Sequence, residues 1–142
     1  MKNLLVAVDG SDSGQKAAEK ALELAEILSA KVTVISVAAP PIAPIHWKGA
    51  AYYYDELLEM QRKQAQEIAD RYKELFEKEG LEASTVVKQG DPAEQIIEVA
   101  NSDSYYMVVM GSRGLTGIKR AVIGSVANYV IQSSKIPVLV VT

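Results

Sequence analysis

Gly111, Gly114, Gly124 and Ser125 stand in the spacing Gly-x2-Gly-x9-Gly-Ser, in a stretch that opens as the apolar run Val108-Val109-Met110. Arg113, Lys119 and Arg120 lie between the glycines. The chemistry these types suit is the holding of a phosphate. Glycines let a backbone approach a ligand closely. A serine opening a helix sets its hydroxyl beside N–H groups that have no intrahelical partner, where the helix dipole also favours negative charge. The Arg113 guanidinium is a fork that pairs phosphate oxygens two at a time. The competing reading is a surface loop closed by a Gly-Ser helix cap, with Arg113, Lys119 and Arg120 as solvated charges. Residue types alone leave both readings open.

Other chemistries find little support. His46 is the single histidine and the chain has no cysteine, so neither a zinc site nor thiolate chemistry is expected. There is no Gly-x4-Gly-Lys-[Ser/Thr] loop, and with it go the phosphate-binding lysine and metal-binding hydroxyl of that design. No Gly-x-Ser-x-Gly nucleophile elbow occurs either. His46 and Trp47, in a proline-rich loop, read as interface packing or a lid; Tyr52-Tyr53-Tyr54 reads as a contact patch at a helix start.

The elements that must position the glycines follow from apolar patterning. Leu4 to Val8 is continuously apolar, as expected of a strand covered on both faces. Asp12 to Gln15 has capping-box spacing, and Ala18, Ala21, Leu22, Ala25 and Leu28 carry a helix to about Ser29. Val32 to Val37 is a β-branched strand, ended by Pro40, Pro41 and Pro44 in a loop that reaches Gly49. The longest helix spans Tyr53 to Glu79, with Leu58, Gln61, Ala65, Ile68, Ala69, Tyr72, Leu75 and Phe76 facing inward. Glu59/Lys63, Glu67/Arg71 and Glu74/Lys78 are expected ion pairs on its outer face, and Gly80 closes it. A strand over Leu81 to Lys88 follows, then a helix capped by Asp91 with Pro92 at its first position and Glu94 completing the box. Tyr106 to Met110 is a strand, Ser125 to about Ser134 a helix and Pro137 to Val141 the last strand.

Strands alternating with helices throughout 142 residues predict one α/β domain with a largely parallel sheet, doubly wound and Rossmann-like, with helices on both faces. In such sheets ligands bind beyond the carboxyl ends of the strands, where the winding reverses. That places Asp9 to Asp12 and Gly111 to Gly124 in one crevice. A balance of 15 basic against 18 acidic residues argues against a nucleic-acid partner. No apolar run approaches the roughly 20 residues that span a bilayer, and the N-terminal segment is too short for a signal peptide, so a cytoplasmic location is expected.

The glycine spacing, the strand ending at Asp9, the strand ending at Val37, the Gly90-Asp91-Pro92 turn and the closing Ile136 to Val141 together resemble the universal stress protein family over the whole chain. The resemblance implies a five-stranded sheet in the order 3-2-1-4-5 and ATP as ligand, with Mg²⁺ as a candidate companion. It implies Asp9 against the nucleoside end, Val37 lining the adenine pocket, Gly111 near the ribose and Gly114 near the phosphates. Gly124, Ser125 and the Val126 N–H would also hold phosphate. Ala7 departs from the proline that some members carry there. Asp9 has its own alternative as a simple loop cap. A homodimer through Pro137 to Val141 is expected, because uninterrupted apolar edge strands tend to pair.

Three functions compete at this point. The leading one is an ATP-binding stress or signalling protein with slow hydrolysis at most, because the residues form a cradle with few committed catalytic groups. The second is a dimeric interaction protein whose nucleotide site is vestigial. The third is adenylation, since Asp9 to Ser13 partly resembles the Ser-Gly-Gly-x-Asp-Ser loop of ATP pyrophosphatases; here Val8 and Asp9 replace its first serine and glycine.

Overall fold

The computed structural model describes residues 1–41, 50–102, 104–113 and 123–142. Gly114, Lys119, Arg120, Pro44, His46 and Trp47 lie outside these described residues. The elements are β1 (Asn3–Ala7), α1 (Asp12–Leu28), β2 (Lys31–Ala38), α2 (Ala50–Lys78), β3 (Ala83–Gln89), α3 (Pro92–Ala100), β4 (Met107–Gly111), α4 (Ser125–Ser133) and β5 (Val138–Val141). The five strands form one parallel sheet in the order β3-β2-β1-β4-β5, so the winding reverses between β1 and β4 as expected.

Period-two alternation in β1 explains why its run is apolar throughout. Leu4, Val6 and Val8 join one core with Ala17, Ala18, Ala21 and Ala25 of α1 and Ala69, Tyr72 and Phe76 of α2. Leu5 and Ala7 join the other, with Ile96, Val99 and Ala100 of α3 and Ala127 and Val130 of α4. Each face of the central strands is therefore buried under two helices. Phe76 is fully buried, and removing its ring from water contributes about 2–3 kcal/mol. Among the described residues no helix is long and apolar enough to cross a membrane.

Three local expectations are corrected. The N-cap of α1 is Ser11, whose hydroxyl accepts from the Gly14 N–H at 3.1 Å; Asp12 is already helical, so the box from Asp12 to Gln15 does not form. Leu75 is 40 % exposed and belongs to the outer face of α2, outside the stripe Ala65, Ala69, Tyr72 and Phe76 that the helix buries. On that outer face Glu59 meets Arg62 at 3.7 Å instead of Lys63, and Arg71 lies over the Tyr72 ring, not beside Glu67. Glu74 and Lys78, the third expected pair, form no ion pair either, whereas the signals at the next cap and turn hold. Asp91 accepts from the Glu94 N–H at 3.1 Å with Pro92 at the first position of α3, and the chain turns after α2 at Gly80, φ 83°.

Candidate functional site

Parallel register sets the site. Ala7 of β1 pairs with Ile35 of β2, and Val6 pairs with Val109 of β4, so Asp9 lies level with Val37 and two residues beyond the level of Val109 stands Gly111. Val37 is half-buried and packs against the core under α3 and α4. The carboxyl ends of β1, β2 and β4 thus open on one edge of the sheet, where the helices that follow β1 and β4 also begin.

The β1 side of this edge is built by one carboxylate. Asp9 Oδ1 accepts from the Ser11 backbone N–H at 3.0 Å and from the Ser11 hydroxyl at 2.5 Å, and Ser11 Oγ accepts in turn from Gly14 N–H. Asp9 therefore does hold its own loop, the alternative weighed against a ligand role. One of its two oxygens does this work; the other is not part of that relay.

The β4 side is held to α1 by a side-chain hydroxyl and to β5 through backbone. Gly111 has no room for a side chain, since a Cβ there would lie 2.6 Å from both the carbonyl carbon and oxygen of Ser13. Its identity is thus a packing requirement of the first turn of α1. Ser13 Oγ accepts from the Arg113 N–H at 3.2 Å, a bond between residues 100 apart in the chain. Buried Ser112 donates its N–H to the Val141 carbonyl at 3.0 Å, and its own carbonyl accepts from Gly124 N–H at 2.6 Å. Entry and exit of the glycine segment consequently meet at Ser112, and both glycine-bearing loops converge on one edge.

Helix α4 starts at this junction. Its N-cap is Gly124, in extended backbone (φ −66°, ψ 163°), with no side-chain cap hydrogen bond. Helices α1 and α3 both have one, from Ser11 and Asp91. A first helical turn leaves its N–H groups without intrahelical partners, so they must turn to water or a ligand. Ser125 is exposed and Val126 half-buried against the α4 core, at the start of that turn. Gly124 is also a close approach, because a Cβ would stand 3.1 Å from the Ser112 carbonyl oxygen.

The structure thus brings Asp9, Gly111, Arg113, Gly124, Ser125 and Val126 to one edge, with Val37 level with Asp9 on the neighbouring strand. Sequence reading missed the parts played by Ser13 and Ser112. Ser112 is adjacent to a glycine of the motif, which is a usable signal. Ser13 carries none, because its contact joins segments with no common spacing.

Beneath the crevice, Tyr72 of α2 donates its hydroxyl to Gln15 Oε1 at 3.4 Å. Burial pushes this phenol above its ordinary value of 10.0; Arg71 opposes the shift, and the negative charges of Asp9 and Glu19 add to it. The folded state therefore holds the proton more tightly than the unfolded chain. The stability this supplies is fully present below about pH 10 and is lost as pH rises through the raised folded value. Urea unfolding from pH 8 to 11.5 should show the midpoint of the wild-type chain falling above pH 10 relative to Tyr72→Phe. Parallel curves would contradict the burial argument.

The model of the universal stress protein family matches residues 1–142. The universal stress protein YxiE of Bacillus subtilis is 33% identical over 143 residues, 97% of each chain. A universal stress protein of Methanocaldococcus jannaschii, MJ0531, is 33% identical over 140 residues, covering 99% of this chain and 81% of that one. Among solved structures, UspA of Lactobacillus plantarum superposes with a TM-score of 0.87 at 24% identity, covering 99% of this chain and 97% of that one. An Archaeoglobus fulgidus structure in complex with dAMP gives 0.70 at 22% identity, with 100% and 98% covered. An Arabidopsis thaliana structure with AMP bound gives 0.74 at 18% identity, with 99% and 91% covered.

Proposed function

We propose that this chain, which belongs to the universal stress protein family, is a single-domain ATP-binding protein of stress response or signalling. The observation that carries the reading is the start of α4. It lies where the sheet reverses, is capped by a glycine without a side-chain bond, and is fed by the Gly-x2-Gly-x9-Gly-Ser segment. Such a terminus suits an anion through its N–H groups and its dipole. The adenine nucleotides held by the Archaeoglobus fulgidus and Arabidopsis thaliana proteins support an adenine nucleotide as the anion's carrier.

In this reading Gly124, Ser125 and the Val126 N–H hold phosphate together with Gly114, and Arg113 pairs phosphate oxygens. Asp9 and Val37 face the nucleoside, and Gly111 lies toward the ribose. The residues fit the group in one respect that the geometry carries: the glycine cap of α4 puts no side chain over its first-turn N–H groups. A Mg²⁺ ion would draw on Asp9, through the oxygen that Ser11 does not engage. Hydrolysis is slow on this reading, because the carboxylate that closes β1, Asp9, is already engaged in holding its own loop.

Titration calorimetry with ATP and Mg²⁺ tests the proposal, paired with thermal melting. Ligand at a hundredfold excess over its Kd adds about 2.7 kcal/mol, which raises the melting temperature by roughly 8 °C in a chain of this length. No heat and no shift would remove the reading. The second reading, a dimer with a vestigial site, draws on β5, an edge strand with four half-buried apolar residues. A dimer by analytical ultracentrifugation that ignores ATP would favour it.

A further inference from the structure

Helix α2 is longer than the sheet it covers. It has 29 residues and β2, the longest strand, has 8, so at about 1.5 and 3.3 Å per residue they measure about 43 and 26 Å. The surplus lies at one end. Where α2 closes, Leu81 donates its N–H to the Phe76 carbonyl, and the Glu82 carbonyl already accepts from Val32 at the start of β2. Earlier along the helix, Ile68 Cδ1 lies 3.3 Å from where a Cβ on Gly10 would stand, just past the end of β1. Ala65 is the first buried position of α2 among the described residues. The residues before it therefore stand beyond the carboxyl edge of the sheet, above the turn made by Asp9 and Gly10.

This overhang still has two faces. Tyr54, Leu57, Leu58 and Gln61 are half-buried, whereas Asp55, Glu56, Glu59 and Arg62 are exposed. In alternating steps of four and three, Tyr54, Leu58, Gln61 and Ala65 run on into Ile68 and Tyr72. Ile68 meets Gly10, and Tyr72 meets Gln15 of α1, so the stripe faces the turn between β1 and α1. Its apolar members beyond Ala65 belong to neither core. Gln61, one turn beyond Ala65, brings an amide into it. Among the described residues that amide has no hydrogen-bond partner, whereas Gln66 on the outer face donates to Asp70.

We infer that the overhang of α2 is the wall of the nucleoside pocket and that Gln61 is its base-selecting residue. The inference rests on the nucleotide-binding reading above, which sets the nucleoside against Asp9 and Val37, beneath this stripe. An amide holds a donor and an acceptor side by side. Adenine matches it, because its amino group donates and the ring nitrogen beside that group accepts, so glutamine pairs this edge with two bonds at once. Tyr54, Leu57 and Leu58 supply the apolar surface that a flat aromatic ring needs around such a polar group.

A glutamine that only covers the crevice would affect every nucleotide alike. Calorimetric titration with ATP and with purine riboside triphosphate, which lacks only the amino group, separates the two roles. The wild-type chain should bind ATP about tenfold more tightly than the analogue, within the range of one bidentate pair. Gln61→Leu keeps the bulk and extends the apolar stripe, so it should melt close to wild type. It should bind ATP about tenfold more weakly and lose less with the analogue, so that the preference disappears. Gln61→Glu has the same size but sets a second acceptor against the ring nitrogen, and it should also weaken ATP, whatever the folding of Gln61→Leu. Wild-type affinity for ATP in both variants, equal weakening of the two ligands, or no preference in the wild-type chain overturns the role of Gln61. A wild-type chain that binds neither ligand instead overturns the nucleotide reading itself, and this inference with it.

Discussion

Gly111→Ala should lower the unfolding free energy by about 3 kcal/mol, the upper range for forcing atoms into a filled space, and the melting temperature by roughly 9 °C. The new Cβ would sit 2.6 Å from two backbone atoms of Ser13. A clash with the tip of a long side chain relaxes by rotation, but this one is with the first turn of a helix. That helix packs closely because its buried face is alanine: Ala17, Ala18, Ala21 and Ala25. Relief therefore requires moving α1 off β4, which opens the same interface that holds Arg113 to Ser13. Urea unfolding of both proteins measures the loss directly. A variant as stable as the wild-type chain would mean that α1 and the end of β4 do not approach each other as described.

Gly124→Val should do the opposite, separating binding from folding. The backbone of Gly124 is extended and open to any residue, so no conformational penalty arises. A Cβ there meets the Ser112 carbonyl oxygen at 3.1 Å, which a shift of a few tenths of an ångström relieves. Adding the poorer capping of valine, the stability cost is about 1 kcal/mol. The cost to ligand is larger. On the proposed reading, phosphate sits over the first-turn N–H groups of α4, and a branched side chain at the cap stands between the two. Losing those charge-assisted contacts should raise the Kd for ATP about a hundredfold or more, near 2.7 kcal/mol. Titration calorimetry alongside a melting curve checks both halves. ATP bound by Gly124→Val with wild-type affinity would detach the α4 terminus from the phosphate.

The two substitutions differ although both alter glycines of one motif, and the spacing that groups them does not reveal why. Gly111 is required by the neighbouring helix, whereas Gly124 caps α4 without a side-chain hydrogen bond. Spacing names which residues are small; only neighbours in space say what the smallness is for.

Much else was readable because it is local. The alternation Leu4-Leu5-Val6-Ala7 predicts a strand buried on both faces, and Asp91-Pro92 announces a helix start, since strand pleat and capping bonds join residues within four positions of each other. The resemblance carried by the glycines supplied the strand order, which the coordinates bear out. Where several neighbours compete for one local role, local chemistry is ambiguous. Ser11 and Asp12 are both good caps, and Ser11 takes the position because Asp9 holds its N–H and hydroxyl. Leu75 matched the helical period, yet it lies outside the stripe of Ala65, Ala69, Tyr72 and Phe76 that α2 buries, and so stays exposed. Furthest from the sequence lies the tie between Ser13 and Arg113, 100 residues apart, because it exists only once β1 and β4 are paired and α1 is laid across their ends. Periodicity and caps act within a few residues, so the chain alone determined its strands, helices and the types of its phosphate-suited segment. Which backbone groups that segment is held by was decided by packing, which acts between surfaces that sequence distance does not order.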